Sequence, residues 1–176
     1  MHKLADAIVS GDWTEQDATI GESWSGGNMP SYFPEHLNRL KSINWSQVDY
    51  ITIKQMTNDY RQGDSIDNPD NPYDTATYGG ALRYTLEKLM VAYPHLKILV
   101  VTAPYRHFMN GTDSNDVDWG GGTLPDYVDK ALEVCKGLTP CLDLYRNSGI
   151  NRFTKDYYFP EDDGTHTNFE GNERIG

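Results

Sequence analysis

Leu96-Lys97-Ile98-Leu99-Val100-Val101-Thr102 is the stretch that decides the fold. Its apolar run is almost unbroken, the pattern of a strand covered on both faces as in a parallel sheet. Just before it, residues 77–93 set Leu82, Leu86, Leu89 and Tyr93 on one helical face, and Pro94 ends the helix. Further back, the stretch from Arg61 to Asp74, rich in Asp, Asn and Pro, reads as a loop. Val48–Ile53 reads as a second strand, running out into Gln55-Met56-Thr57-Asn58-Asp59-Tyr60. A helix precedes it, with Pro34 in its first turn and Phe33, Leu37, Leu40 and Ile43 as its stripe. Gly21–Asn28 is a Gly/Ser loop, and Asp17-Ala18-Thr19-Ile20 ahead of it is a short strand candidate. Residues 3–10 form a short helical pattern that no strand precedes. On the other side of the central strand, a long loop from Ala103 to Leu124 carries Trp119 and three consecutive glycines. Pro125 starts a helix with Val128, Leu132 and Cys135 on one face, and Cys141–Tyr145 reads as the last strand. Strands alternating with helices predict an α/β fold built on one parallel sheet of four strand segments.

The 176 residues suffice for a single domain, 1–176, with a real core. The net charge is −11 and no Lys/Arg-rich patch stands out, which makes nucleic acid and anionic membranes poor partners. No apolar run is long enough to span a bilayer, and Met1–Asp6 holds no signal-peptide hydrophobic region. Cys135 and Cys141 are too few for a disulfide scaffold; two reduced thiols and a single bridge are both open. No Cys/His cluster has metal-site spacing, so neither a metal nor another cofactor is expected.

Ligands of parallel α/β sheets bind beyond the carboxyl ends of the strands. Gly21, Asn58 and the stretch Asp162-Asp163-Gly164-Thr165-His166-Thr167-Asn168 each follow a predicted strand. In that last stretch Gly164 permits a tight turn between Asp163 and His166. The carboxylate can then accept from one ring nitrogen, which fixes the tautomer and leaves the other nitrogen free as a base. Asn168–Ile175 reads as a helix start that supports the pair. A solvated surface turn has the same Asp-x-x-His pattern, so the convergence of three stretches on one edge carries more than any one of them.

On these residues the chain resembles the SGNH hydrolases, the GDSL-type esterase and lipase superfamily. Asp163-Gly164-Thr165-His166, with Asn168 and Gly171, matches the family's last block. Met56-Thr57-Asn58-Asp59 matches its Gly-x-Asn-Asp block in part, and Gly21 best matches its lone glycine, with Gly26 as a rival. The resemblance implies a flavodoxin-like three-layer α/β/α fold and a serine ester hydrolase that cleaves acyl or acetyl groups from a small molecule or carbohydrate. It implies His166 as base and then acid, Asp163 as its orienter, and Asn58 and Gly21 as oxyanion donors. Two departures stand out. Met56 replaces a glycine, and the Gly-Asp-Ser block of the first strand is missing. The expectation is a chain truncated at the N-terminus, and at the C-terminus too, without its nucleophile and inactive by itself. Gly63-Asp64-Ser65-Ile66 spells the missing block but follows a loop instead of a buried strand. Ser23 and Ser25 are weaker candidates, with backbone-bonding loop hydroxyls as the plain reading of all three serines. His107 reads as a surface histidine or a pocket wall, and Trp119 as a substrate rim or a cover on the core. The competing reading is a non-catalytic relic of the fold that binds a glycan or a protein partner. A flavodoxin-like ligand-binding domain ranks below both, because no loop resembles a phosphate cradle.

Overall fold

The computed structural model describes residues 1–20 and 32–176. A parallel sheet of three strands, β1 (Tyr50–Ile53), β2 (Lys97–Val101) and β3 (Cys141–Leu142), lies in that order among helices. The strand predicted at 96–102 sits in the middle, since β2 pairs with a neighbour on each side; one face is buried through Ile98 and Val100, while on the other, expected to be covered too, Leu99 and Val101 are half-buried and Lys97 is exposed.

The helices follow their sequence signals. α1 (His2–Ser10) buries Ala5 and Ala7 and packs onto α5 (Tyr78–Ala92). The Thr77 side chain caps α5 by accepting from the Gly80 N–H at 3.2 Å. Leu82, Leu86 and Leu89, the face foreseen in the sequence, are buried in the core. α6 (Leu124–Cys135) opens on a capping box between Thr123 and Asp126 and packs on α5. α3 (Tyr32–Ser42) buries Leu37 alone of its stripe.

Two expected strands differ. Residues 17–20 belong to a helix, α2 (Thr14–Ile20), not to a strand. The Asp12 carboxylate accepts from the Thr14 N–H and hydroxyl at 3.0 and 2.6 Å, and Glu15 and Asp17 lie in the positive first turn. That start is a stronger local signal than two apolar residues in four. α2 buries no residue. Gly21, Ser23, Ser25 and Gly26, with the rest of the Gly/Ser loop, lie outside the described residues. The last strand stops after Leu142, because the Asp143 side chain accepts from the Arg146 N–H at 3.0 Å and caps α7 (Leu144–Asn147). Cys135 and Cys141 are both free thiols.

Among the described residues β1 is an edge strand. The Lys97 N–H donates to the Asp49 carbonyl, so residues 49, 51 and 53 turn their peptide groups toward β2. Those of Tyr50 and Thr52 point the other way, and a groove of about 420 Å³ opens beside Thr52. Met1, Leu4, Ile8 and Leu89 line it together with residues 51–55. Consecutive strand residues from both faces border it, so it runs along the edge of the sheet.

Candidate active site

Three segments beyond the carboxyl ends of the strands build the site. After β1 the chain turns at Met56 into α4 (Thr57–Gln62), whose second residue is Asn58. Asn58 is exposed, and its amide has no hydrogen-bond partner among the described residues. Met56 takes φ = 127° and is 1% exposed. The glycine-favouring backbone therefore falls where the family pattern has glycine, and the buried Met56 side chain occupies it.

After β2 comes Pro104-Tyr105-Arg106-His107, and the Asp163–His166 turn packs against it. The His107 N–H donates to the Gly164 carbonyl at 3.0 Å. A Cβ on Gly164 would lie 2.3 Å from the His107 carbonyl oxygen, so this approach requires glycine. Arg106 donates from Nη2 to the Thr165 hydroxyl at 2.6 Å. Its guanidinium carbon lies 6.0 Å from the centre of the Tyr60 ring, on the helix that carries Asn58. Arg106 thus bridges the Asn58 helix and the Asp163–His166 turn.

Within the turn, Asp163 Oδ1 accepts from the N–H groups of Thr165 and His166 at 2.7 and 3.0 Å. Asp163 Oδ2 lies 2.6 Å from His166 Nδ1. Burial pulls the Asp163 carboxyl upward, but the bonds from the His166 ring and the two N–H groups outweigh it and hold the pKa below the usual value. The His166 side chain is 84% exposed, and Nε2 has no partner among the described residues. The imidazole is held by one nitrogen and open at the other, the arrangement a general base requires. Asn168 caps α9 (Phe169–Ile175) by accepting from the Gly171 N–H at 2.9 Å, so a helix supports the turn as foreseen.

Ser65 does not join this group. Gly63 is the left-handed C-cap of α4, the Ser65 carbonyl accepts from the Tyr78 N–H, and no hydrogen bond links the Ser65 hydroxyl to His166. His107 is half-buried against Phe159, and burial lowers its pKa, with Lys155 adding to the effect. His36 and His95 are exposed. Trp119 is 40% exposed and stands against Arg61 and Phe108, as a rim residue would. The sequence reading passed over Arg61, Arg106 and Thr165. The signal for Arg106 was a cation just past the central strand of an acidic chain. Among the described residues no group of three or more His, Cys, Asp or Glu side chains could hold a metal ion, and no helix is long and apolar enough to cross a membrane.

No protein-family model matches the chain, and no curated protein matches it. Solved structures do. A protein from Lactobacillus plantarum is similar over 78% of this chain and 66% of its own, with 23% identity and a TM-score of 0.64. A possible lipase from Chitinophaga pinensis is 19% identical over 80% of this chain and 73% of its own, with a TM-score of 0.57. Salicylyl-acyltransferase SsfX3 from a tetracycline biosynthetic pathway is 15% identical over 74% of this chain and 36% of its own, with a TM-score of 0.53. The chain thus has an α/β fold shared with a possible lipase and an acyltransferase, and it spans about two thirds of the Lactobacillus protein's length.

Proposed function

We propose that this chain carries the acid–base and oxyanion parts of an SGNH-type serine ester hydrolase acting on acyl or acetyl esters of a small molecule or carbohydrate. The observation that carries the reading is the Asp163–His166 pair, with Nδ1 engaged at 2.6 Å and Nε2 open. In the cycle, His166 Nε2 takes the proton of an attacking serine and returns it to the leaving alcohol. Asp163 holds the ring and stabilises the imidazolium. Asn58, with its free amide at the start of α4, donates to the oxyanion, and Gly21 supplies a backbone N–H as second donor. No described serine bonds to His166. The nucleophile belongs to a strand ahead of α1, as the resemblance implies, and the open side of β1 leaves the sheet room for it. The second reading is a non-catalytic relic of the same fold that binds a glycan or a protein partner, and the want of a serine on His166 among the described residues favours it for the chain as it stands.

Two measurements test the pair and the nucleophile separately. Nitrogen NMR at a pH where the ring is neutral should show His166 protonated at Nδ1, shifting toward the Nε2–H tautomer in Asp163→Asn. An Nε2–H ring in the unaltered protein would remove the base. Rapid mixing with p-nitrophenyl acetate should show no acyl-enzyme burst from the chain as given. A burst that Ser65→Ala removes would move the nucleophile to Ser65 and overturn its assignment to a preceding strand.

A further inference from the structure

Arg106 and Arg61 stand out in a chain with 26 acidic and 15 basic residues. Arg39, Arg83, Arg146 and Arg152 each pair with a carboxylate and Arg174 donates to the Ser148 carbonyl, whereas Arg61 and Arg106 pair with no carboxylate among the described residues and carry the two guanidiniums nearest the site. Arg106 is 8% exposed, and its buried Nε has no hydrogen-bond partner. Nη2 is spent on Thr165, while Nη1 has no partner and is not among the buried atoms. The nearby carboxylates are engaged elsewhere. Asp163 holds His166, Asp118 accepts from the Gly120 and Gly122 N–H groups, and Asp113 and Asp116 hold Arg152.

The two guanidiniums flank an aromatic plate. Arg61 lies 4.0 Å over the Trp119 ring, Trp119 meets Phe108 edge to face at 5.7 Å, and Arg106 lies 5.2 Å from the Phe108 ring. Burial depresses the Arg106 pKa, and the charge of Arg61 adds to that. Desolvating a guanidinium and setting a second cation near it both cost free energy, and an anion bound at the open Nη1 offsets both.

We propose that Arg106, Arg61, Trp119 and Phe108 form a binding subsite for a small organic carboxylate, so that the ester presented to His166 carries a second, free carboxylate. The open Nη1 of Arg106 and the Arg61 guanidinium can both donate to a carboxylate, and the aromatic pair covers the apolar carbons between the carboxylate and the ester. Thr165 joins the subsite to the reacting end, since it bonds Arg106 and precedes His166. As a substrate subsite the cluster rests on the ester-cleaving reading of Asp163 and His166; as an anion site it stands without that reading.

The test is binding, which needs no nucleophile. Monomethyl succinate is titrated into the protein while the Trp119 indole and His166 ring signals are followed by NMR, with dimethyl succinate as the neutral comparison. The monoester should bind saturably and about tenfold or more tighter than the diester, as expected for a charge-assisted hydrogen bond. Arg61→Gln, at an exposed position, should remove most of that preference with the fold intact, and Arg106→Gln should do so more fully. Equal affinity for the two esters, or a preference unchanged by Arg61→Gln, would overturn the subsite. His166→Ala should leave the preference intact, so failure of the catalytic reading and failure of the subsite are distinguishable.

Discussion

Met56 holds a backbone conformation with φ = 127° that a residue with a Cβ rarely adopts. Such strain costs about 1–3 kcal/mol and persists where the surroundings over-determine it. Here they do: the side chain is 1% exposed in the core, and the Met56 carbonyl accepts from the Tyr60 N–H at 2.9 Å to start α4. Met56→Gly would relieve the strain and lose the buried side chain, a loss of about 2–5 kcal/mol for truncations of this kind. The second term is larger, so urea unfolding should show a net loss of about 1–2 kcal/mol. A more stable glycine variant would show that the thioether contributes less than the strain. At this scale the Asp163–His166 pair was legible because its partners are three residues apart around a glycine. Arg106 was not, because its Thr165 partner is 59 residues away and burial of a loop cation leaves no local pattern.

The connections between elements rest on side chains as much as on ladders. The loop after β2 is pinned by Asp113, which accepts from the Asn115 N–H and amide and the Tyr105 hydroxyl and pairs with Arg152 at 3.1 Å. Burial pulls the Asp113 carboxyl upward, but these partners outweigh it and the pKa lies below the ordinary value. The folded pKa is therefore below the unfolded one, about 3.9. Ionised Asp113 stabilises the fold above that pH, and the contribution is lost as pH falls through the folded pKa. Asp113→Asn should cost about 1.5–3 kcal/mol at neutral pH, as for a lost hydrogen bond to a charge. The deficit should shrink below about pH 4 in urea melts taken across the range. A deficit independent of pH would mean that shape, not charge, holds the loop. The long helices and the central strand were legible here because their apolar periods run over many residues. Four residues at 17–20 could not separate a strand from a helix, and Asp12 decided it. The early stop of β3 lay in one side chain, Asp143, whose role as a cap the strand reading of 141–145 hid.

For the whole molecule, the parallel α/β sheet was legible from the alternation of strands and helices. The open side of β1 was not legible, because strand order leaves no local pattern in the sequence. Tyr50 is 69% exposed, and the outward peptide groups of Tyr50 and Thr52 lie on the open side of β1, beside an apolar groove that Thr52 and Met1 line. A parallel strand joined ahead of Met1 would pair those groups, fill the groove and end near the residues after β1, on the side that carries Asn58 and the His166 turn. The most direct measurement is hydrolysis of p-nitrophenyl acetate by the chain preceded by an apolar strand ending in Gly-Asp-Ser. The extended protein should turn over with an acyl-enzyme burst, His166→Ala should abolish the gain, and Asp163→Asn should lower kcat by about 10⁴-fold. Asn58→Ala should lower it by about 10²–10³-fold. Turnover that survives His166→Ala, or a well-folded extended protein with no turnover, would contradict the account.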